Sequence, residues 1–202
     1  MIILAHLTVS DPDAQPLFDG LWRFARDHTS DIGSRLMDWR LPDAGGNASA
    51  FDADCDMAYG LLPVDARWGS CRAIDYRAAV ATLIAGITSS TLGPQSRLPL
   101  LGDWVVANGT KHNQYSPRSS DFMRGHFRAL RRASIDSVWG GVLASCGEVI
   151  ERLQANYSPA TGLLPDFAES TSTPGRSPKP AAAYLLEGPH DGAYRDNAGR
   201  AP

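Results

Sequence analysis

The chain has 202 residues, 43% of them hydrophobic, which is enough for one domain with a real core. Its 22 acidic and 19 basic side chains leave a net charge of −3 with no basic block, which argues against nucleic acid and anionic membrane as partners and suits a neutral polymer. No apolar run approaches membrane-spanning length. The opening Met1–Leu7 is apolar but short and lacks a basic flank, so it fails as a signal peptide and reads as the later turns of a core helix. Pro16 to His28 carries Leu17, Phe18, Leu21, Trp22 and Phe24 at helical spacing. A helix is also expected through Asp52–Leu62, and an Ala-rich one over Asp75–Thr88. Further helices are expected over Ser120–Ala133, capped by Ser120 or Asp121, and over Ile135–Asn156. The loops between them, Pro42–Ser49, Leu92–Leu101 and Ser170–Pro180, are rich in Gly, Pro, Asn and Ser, and a short strand-like piece is expected near Asp103–Val106. The pattern is all-α.

Cys55, Cys71 and Cys146 are an odd, sparse set without Cys-x-x-Cys spacing, which argues against a disulfide framework and structural zinc. They read as buried thiols, with a Cys55–Cys71 bridge left open. The five histidines show no metal spacing and no nucleophile partner, so each reads as surface or core-satisfied. Neither a metal nor another cofactor is expected.

The segment Ala50-Phe51-Asp52-Ala53-Asp54-Cys55-Asp56-Met57-Ala58 concentrates three carboxylates at i, i+2 and i+4, directly before an apolar run. A helix would place Asp52 and Asp56 with Tyr59 or Gly60 on one face, and Met57, Ala58, Leu61 and Leu62 on the other. One Asp is explained by an N-cap, worth ~1 kcal/mol, and a second is tolerated at the positive end of a helix. Three beside Tyr59 and Trp68 exceed what a cap needs.

This segment resembles the signature of glycoside hydrolase family 8, in Ala50, Asp52, Ala53, Asp54, Met57, Ala58 and Trp68. Phe51 stands where Ser or Thr is usual, and Pro63 is expected to interrupt a helix that the family runs through. Collinear matches follow at Phe18–Phe24, Arg35–Trp39, Arg118–Met123, Asn156–Phe167, Leu186–Gly188 and Asn197–Arg200. The resemblance implies an (α/α)6 barrel, six helical hairpins in a closed ring, with a sugar cleft at one end. It also implies that residues 1–202 are a single family 8-like catalytic domain lacking an N-terminal acid-bearing motif and C-terminal helices. Such a chain exposes apolar helix faces, so poor solubility or loose packing is expected, and a sharp cooperative melt of a monomer would count against that.

The implied activity is inverting, endo-acting hydrolysis of a β-1,4-linked polysaccharide: cellulose, mixed-linkage β-glucan or chitosan. Inversion needs two carboxyl groups far enough apart to hold a water beside the sugar, one as acid and one as base. By resemblance the acid is a Glu ahead of Met1, so the chain as given is expected to be impaired. Asp52 corresponds to the residue that holds the sugar and the water at the cleavage point. Asp54 and Asp56 read as caps or hydrogen-bond anchors for the loop. Asn197 stands where many members carry an Asp base, and an amide cannot take a proton from water, so it orients only. That leans toward the chitosanase and lichenase subgroup, and makes xylan a weaker expectation. Glu187 is then the expected base, with Asp191 and Asp196 as alternatives.

Sugar rings stack their C–H faces on aromatic rings. Trp39 and Trp104, in or beside loops, are expected to do so, whereas Trp22 and Trp139 on apolar helix faces read as core and Trp68 as either. Tyr115, Tyr194 and Arg200 are expected at sugar hydroxyls. Arg118 and Asp121 are expected to contact substrate or to form a buried pair beneath the cleft. The full-length protein is expected to be a secreted monomer. Two competing readings are a carbohydrate-binding remnant that has lost catalysis, and a metal-dependent helical toroid supported only by the Asp run.

Overall fold

The computed structural model describes residue 11, residues 14–40, 47–71, 73–171 and 177–181, and the backbone of 194–195. Among these residues lie five α-helices, one short 3-10 helix and four two-residue strands. The chain divides into two compact units.

The first unit comprises residues up to Ser90 together with Gly102–Trp104 and Arg132–Ile135. Helix α1, Gln15–Arg26, starts with a proline in its first turn, where a missing N–H costs nothing. It buries Phe18 and Trp22. The Phe18 ring lies 6.1 Å from those of both Trp68 and Tyr76. Leu17, Leu21 and Phe24 lie on its exposed side. Helix α2, Phe51–Trp68, begins after Ala50, which offers no side-chain cap, so the first-turn carboxylates of Asp52 and Asp54 supply the negative charge that a helix N-terminus favours. It ends at Gly69, whose φ of +73° suits glycine and whose N–H donates to Asp65 O at 2.8 Å.

Pro63 does not interrupt this helix, contrary to expectation. Its ring removes one hydrogen bond, the one that would reach the Tyr59 carbonyl, at a cost of about 3 kcal/mol. Buried Ala58, Leu61 and Val64 on either side hold the helix against its neighbour and offset that cost. Helix α3, Tyr76–Ser90, packs along α2 and is capped by Asp75, whose Oδ1 accepts the Ala78 N–H at 2.8 Å. Gly86 allows the Arg35 and Leu36 side chains to approach. A Cβ there would fall 2.6 Å from Leu36 Cδ2 and 2.9 Å from Arg35 Cβ.

The second unit comprises Thr91–Leu101, Val105–Arg131 and the residues from Asp136 onward. The helix expected from Ser120 begins instead at Arg124, because Ser119–Asp121 forms a 3-10 turn and Asp121 directs its carboxylate to Arg118 rather than to a cap. Helix α4 therefore spans Arg124–Ser134. Helix α5, Val138–Tyr157, starts two residues after Asp136, whose Oδ1 accepts the Val138 N–H at 2.9 Å. Trp139 stacks on Phe127 at 5.6 Å and is fully buried, so its reading as core is correct, as is that of Trp22.

Strands β1, Leu164–Pro165, and β2, Ala168–Glu169, follow α5. Strand β2 pairs antiparallel with β3, Lys179–Pro180. Strand β1 pairs antiparallel with β4, Tyr194–Arg195, with Leu164 opposite Arg195. The piece expected as strand near Asp103–Val106 is a turn at Asp103–Trp104 followed by irregular chain at Val105–Val106. All three cysteines are free, and Cys71 is exposed rather than buried. The Met1–Leu7 reading falls outside the described residues.

Candidate functional site

The N-terminus of α2 is a junction of three backbone pieces, held by the buried Asp54 and the half-buried Asp103. Asp54 turns inward from α2. Its Oδ1 accepts the Met37 N–H at 2.9 Å, which ties the 27–40 loop to the helix. Its Oδ2 is buried without a hydrogen-bond partner. Burial pushes the Asp54 carboxyl up to about 7. The Met37 N–H and the Ser49 hydroxyl pull it down, while the charges of Asp103 and Asp52 push it up. The reading of Asp54 as a loop anchor is borne out.

Asp103 is the second hub. Its Oδ2 accepts the Ser30 hydroxyl at 2.5 Å and the Gly33 N–H at 3.0 Å, and its Oδ1 accepts the Ser49 N–H at 2.8 Å. Its own N–H donates to Ser49 Oγ at 3.2 Å. Gly102 makes this approach possible, since a Cβ there would lie 2.0 Å from the Ser49 carbonyl oxygen. A third tie runs from the Trp39 N–H to Ala48 O at 3.1 Å. Asp38 accepts the N–H groups of Arg40 and Asn47, each at 3.1 Å, and so closes the same loop.

These bonds gather three of the expected site residues. Trp39 is 55% exposed and Trp104 is 42% exposed, unusual for indoles unless a ligand covers them. The Arg40 guanidinium lies 5.8 Å from the Trp39 ring centroid. Asp52 lies half-buried two residues before the inward Asp54, and its Oδ1 accepts the Ala53 N–H at 2.9 Å. An amphipathic pair of indoles beside a partly exposed carboxylate can stack a sugar face and orient its hydroxyls. Among the described residues no group of three or more His, Cys, Asp or Glu side chains is arranged to hold a metal ion.

Tyr115, Arg118 and Asp121 belong to the second unit. Arg118 Nη2 and Nε donate to Asp121 Oδ1 at 3.2 and 3.3 Å, and Asp121 is fully buried. The expected Arg–Asp pair is present, with Arg118 half-buried over the fully buried Asp121. Ser119 donates its hydroxyl to Pro165 O at 2.6 Å and its N–H to Asp166 O at 2.7 Å. Strand β1, so anchored, pairs with β4, which brings the Tyr194 backbone opposite Pro165. Tyr115 is half-buried, and its carbonyl accepts the Thr171 hydroxyl at 2.9 Å. Glu187, Asn197, Arg200, Asp191 and Asp196 lie outside the described residues, as does the Tyr194 side chain.

Sequence reasoning missed Ser30, Ser49 and Asp103. Their bonds join positions 54 and 73 residues apart, a separation that no local period reports. Only Gly102 beside Asp103 hinted at a close backbone approach.

The family model described as glycosyl hydrolases family 8 matches residues 5–188. The chain is 38% identical over 196 residues to a beta-glucanase of Niallia circulans, covering 95% of this chain and 46% of that protein. It is 34% identical over 207 residues to an endoglucanase of Bacillus sp. strain KSM-330, covering 100% of this chain and 42% of that one. The apo structure of a beta-1,3-1,4-glucanase from Paenibacillus sp. X4 is similar at TM-score 0.88 and 36% identity, over 98% of this chain and 52% of that structure. The chain thus spans less than half the length of these curated relatives. The helical class expected from the sequence, that of the (α/α)6 barrel family, is the class of its fold.

Proposed function

Because the chain belongs to glycosyl hydrolases family 8, we propose that it acts in the hydrolysis of β-linked glucan, with mixed-linkage β-1,3-1,4-glucan as its preferred substrate class. The names of its relatives, beta-glucanase and beta-1,3-1,4-glucanase, support that choice over chitosan, and Asn197 agrees with it. The reaction is endo-acting and inverting. Trp39 and Trp104 stack on sugar rings, and Asp52 holds the sugar and the attacking water at the cleavage point. Glu187 takes the proton from water and Asn197 orients it. Tyr115, Tyr194 and Arg200 contact sugar hydroxyls, and the Arg118–Asp121 pair supports the binding surface. The protein works as a secreted monomer without a cofactor. By the family resemblance, the leaving oxygen receives its proton from a Glu.

One observation carries this reading. Two exposed indoles and the Asp52 backbone are fixed to one another through Asp103 and Asp54, a preorganised edge of the kind that sugar recognition needs. The test is migration of the chain through native gels containing barley mixed-linkage β-glucan, carboxymethylcellulose or chitosan, with reducing-end release measured in parallel. Retardation in β-glucan, reduced in Trp39→Ala and Trp104→Ala, is the expected result. Retardation without reducing-end release assigns the chain the binding role alone. Free migration in every polymer overturns the reading.

A further inference from the structure

Asp54 touches the backbone that carries the sugar platforms, and its chemistry is unlike that of the other carboxylates in the signature. One oxygen holds the Met37 N–H, and the other is buried and unpartnered. An ionised carboxylate in that state keeps the Met37 bond and the pull of the Ser49 hydroxyl, yet its buried Oδ2 makes no hydrogen bond. The groups around it do not relieve this. The turn at 102–104 presents the Asp103 carboxylate and α2 itself presents Asp52, both of which disfavour a further negative charge. The 27–40 loop offers a backbone N–H, while its Asp38 is engaged by Arg40 and Asn47. Ser49 offers a hydroxyl. The one charged side chain of α3, Arg77, pairs with Asp65 at the far end of α2, and α1 directs Asp19 to Tyr76 and Arg23. No cation therefore acts on Asp54 among the described interactions.

An ionised Asp54 is stabilised by admitting water to its buried Oδ2, and the same carboxylate holds the 27–40 loop through the Met37 N–H. We infer that Asp54 is a positioning residue, protonated at its inner oxygen when the sugar-binding edge is assembled, and that loss of this proton to solvent releases the Met37–Trp39 segment and weakens glucan binding. The inference rests on the glucan-binding reading proposed above. The edge is then closed in mildly acidic solution and opens as the solution becomes basic. Burial sets the transition near neutrality, with the carboxyl at about 7.

The experiment measures the dissociation constant for soluble mixed-linkage β-glucan and the hydrogen-exchange protection of the Met37 amide, both at pH 5 and pH 8. Over that span Asp54 passes from about 1% to about 90% ionised. In the wild type the dissociation constant is expected to rise roughly tenfold, and Met37 protection, corrected for intrinsic exchange, to fall by a similar factor. In Asp54→Asn, whose amide keeps an acceptor for Met37 and gains a donor for Ser49, both ratios are expected below about twofold. Equal pH ratios in the wild type and Asp54→Asn overturn the inference. If Asp54→Asn does not fold, the wild-type Met37 amide decides alone, since protection unchanged between pH 5 and pH 8 also overturns it. Absence of β-glucan binding at both pH values overturns the functional reading, and Met37 exchange then still tests the link between Asp54 and the loop.

Discussion

Replacing Asp54 by Asn should make the protein more stable at pH 8 and leave it nearly unchanged at pH 4. The carboxyl rises from 3.8 to about 7 on folding, so the folded chain binds a proton that the unfolded chain has lost between those values. Stability contributed by Asp54 is therefore fully present below 3.8, falls as pH rises toward 7, and is flat above it. A shift of about 3 units at about 1.4 kcal/mol each gives about 4 kcal/mol of lost stability at pH 8. This is an upper figure, because loop movement and water entry lower the cost of the ion. Asn has the same shape, no charge and an oxygen for the Met37 N–H, so the variant escapes that loss. Urea unfolding followed by circular dichroism at 222 nm, at both pH values, measures the difference. A gain at pH 8 that exceeds the gain at pH 4 by at least about 2 kcal/mol is the expected result. The same difference between wild type and variant at both pH values would refute the reasoning.

Four further substitutions probe the same unit. Asp103→Ala removes the acceptor for Ser30, Gly33 and Ser49, and should cost about 3–5 kcal/mol in urea unfolding at pH 7; a cost below about 1 kcal/mol would show that water replaces the hub. Gly86→Ala gains about 1 kcal/mol of helix propensity but meets Leu36 at 2.6 Å, and the overlap should dominate with a net loss of about 1–2 kcal/mol. A stabilised Gly86→Ala variant would mean that the 27–40 loop yields easily. Trp39→Ala and Trp104→Ala should each weaken β-glucan binding by about tenfold with unchanged far-ultraviolet circular dichroism; unaltered affinity in both removes the stacking role.

The helices were legible because their information is local. Phe18 and Trp22 on α1, and Trp139 on α5, announce buried faces through spacing alone. The Asp run announced that the start of α2 is special, yet spacing suggested only that Asp54 anchors a loop, not which loop or which atom it holds. Pro63 misled because a local rule about helix interiors gave way to packing on α3. Ser120 misled because Asp121 has a stronger use for its carboxylate, the Arg118 guanidinium, than a cap. Asp103 was invisible because its partners lie in segments that no pattern connects. The two indoles were found for a physical reason: a large aromatic ring in a loop rich in polar residues has no helix face to bury it.

The position of Asp103 in the chain also bears on how the protein is made. Synthesis delivers α1, α2 and α3 before the residue that joins the pieces around them exists. The bonds from Ser30 and Ser49 to Asp103 close loops of 73 and 54 residues, whereas the helices need only neighbours. Long closures come late in folding, because their entropy must be overcome before their bonds form. The helical frame of this unit therefore precedes the Asp103 hub in time, and a nascent chain stalled before residue 103 would hold α2 and α3 together while Ser30 and Ser49 still lacked their common acceptor.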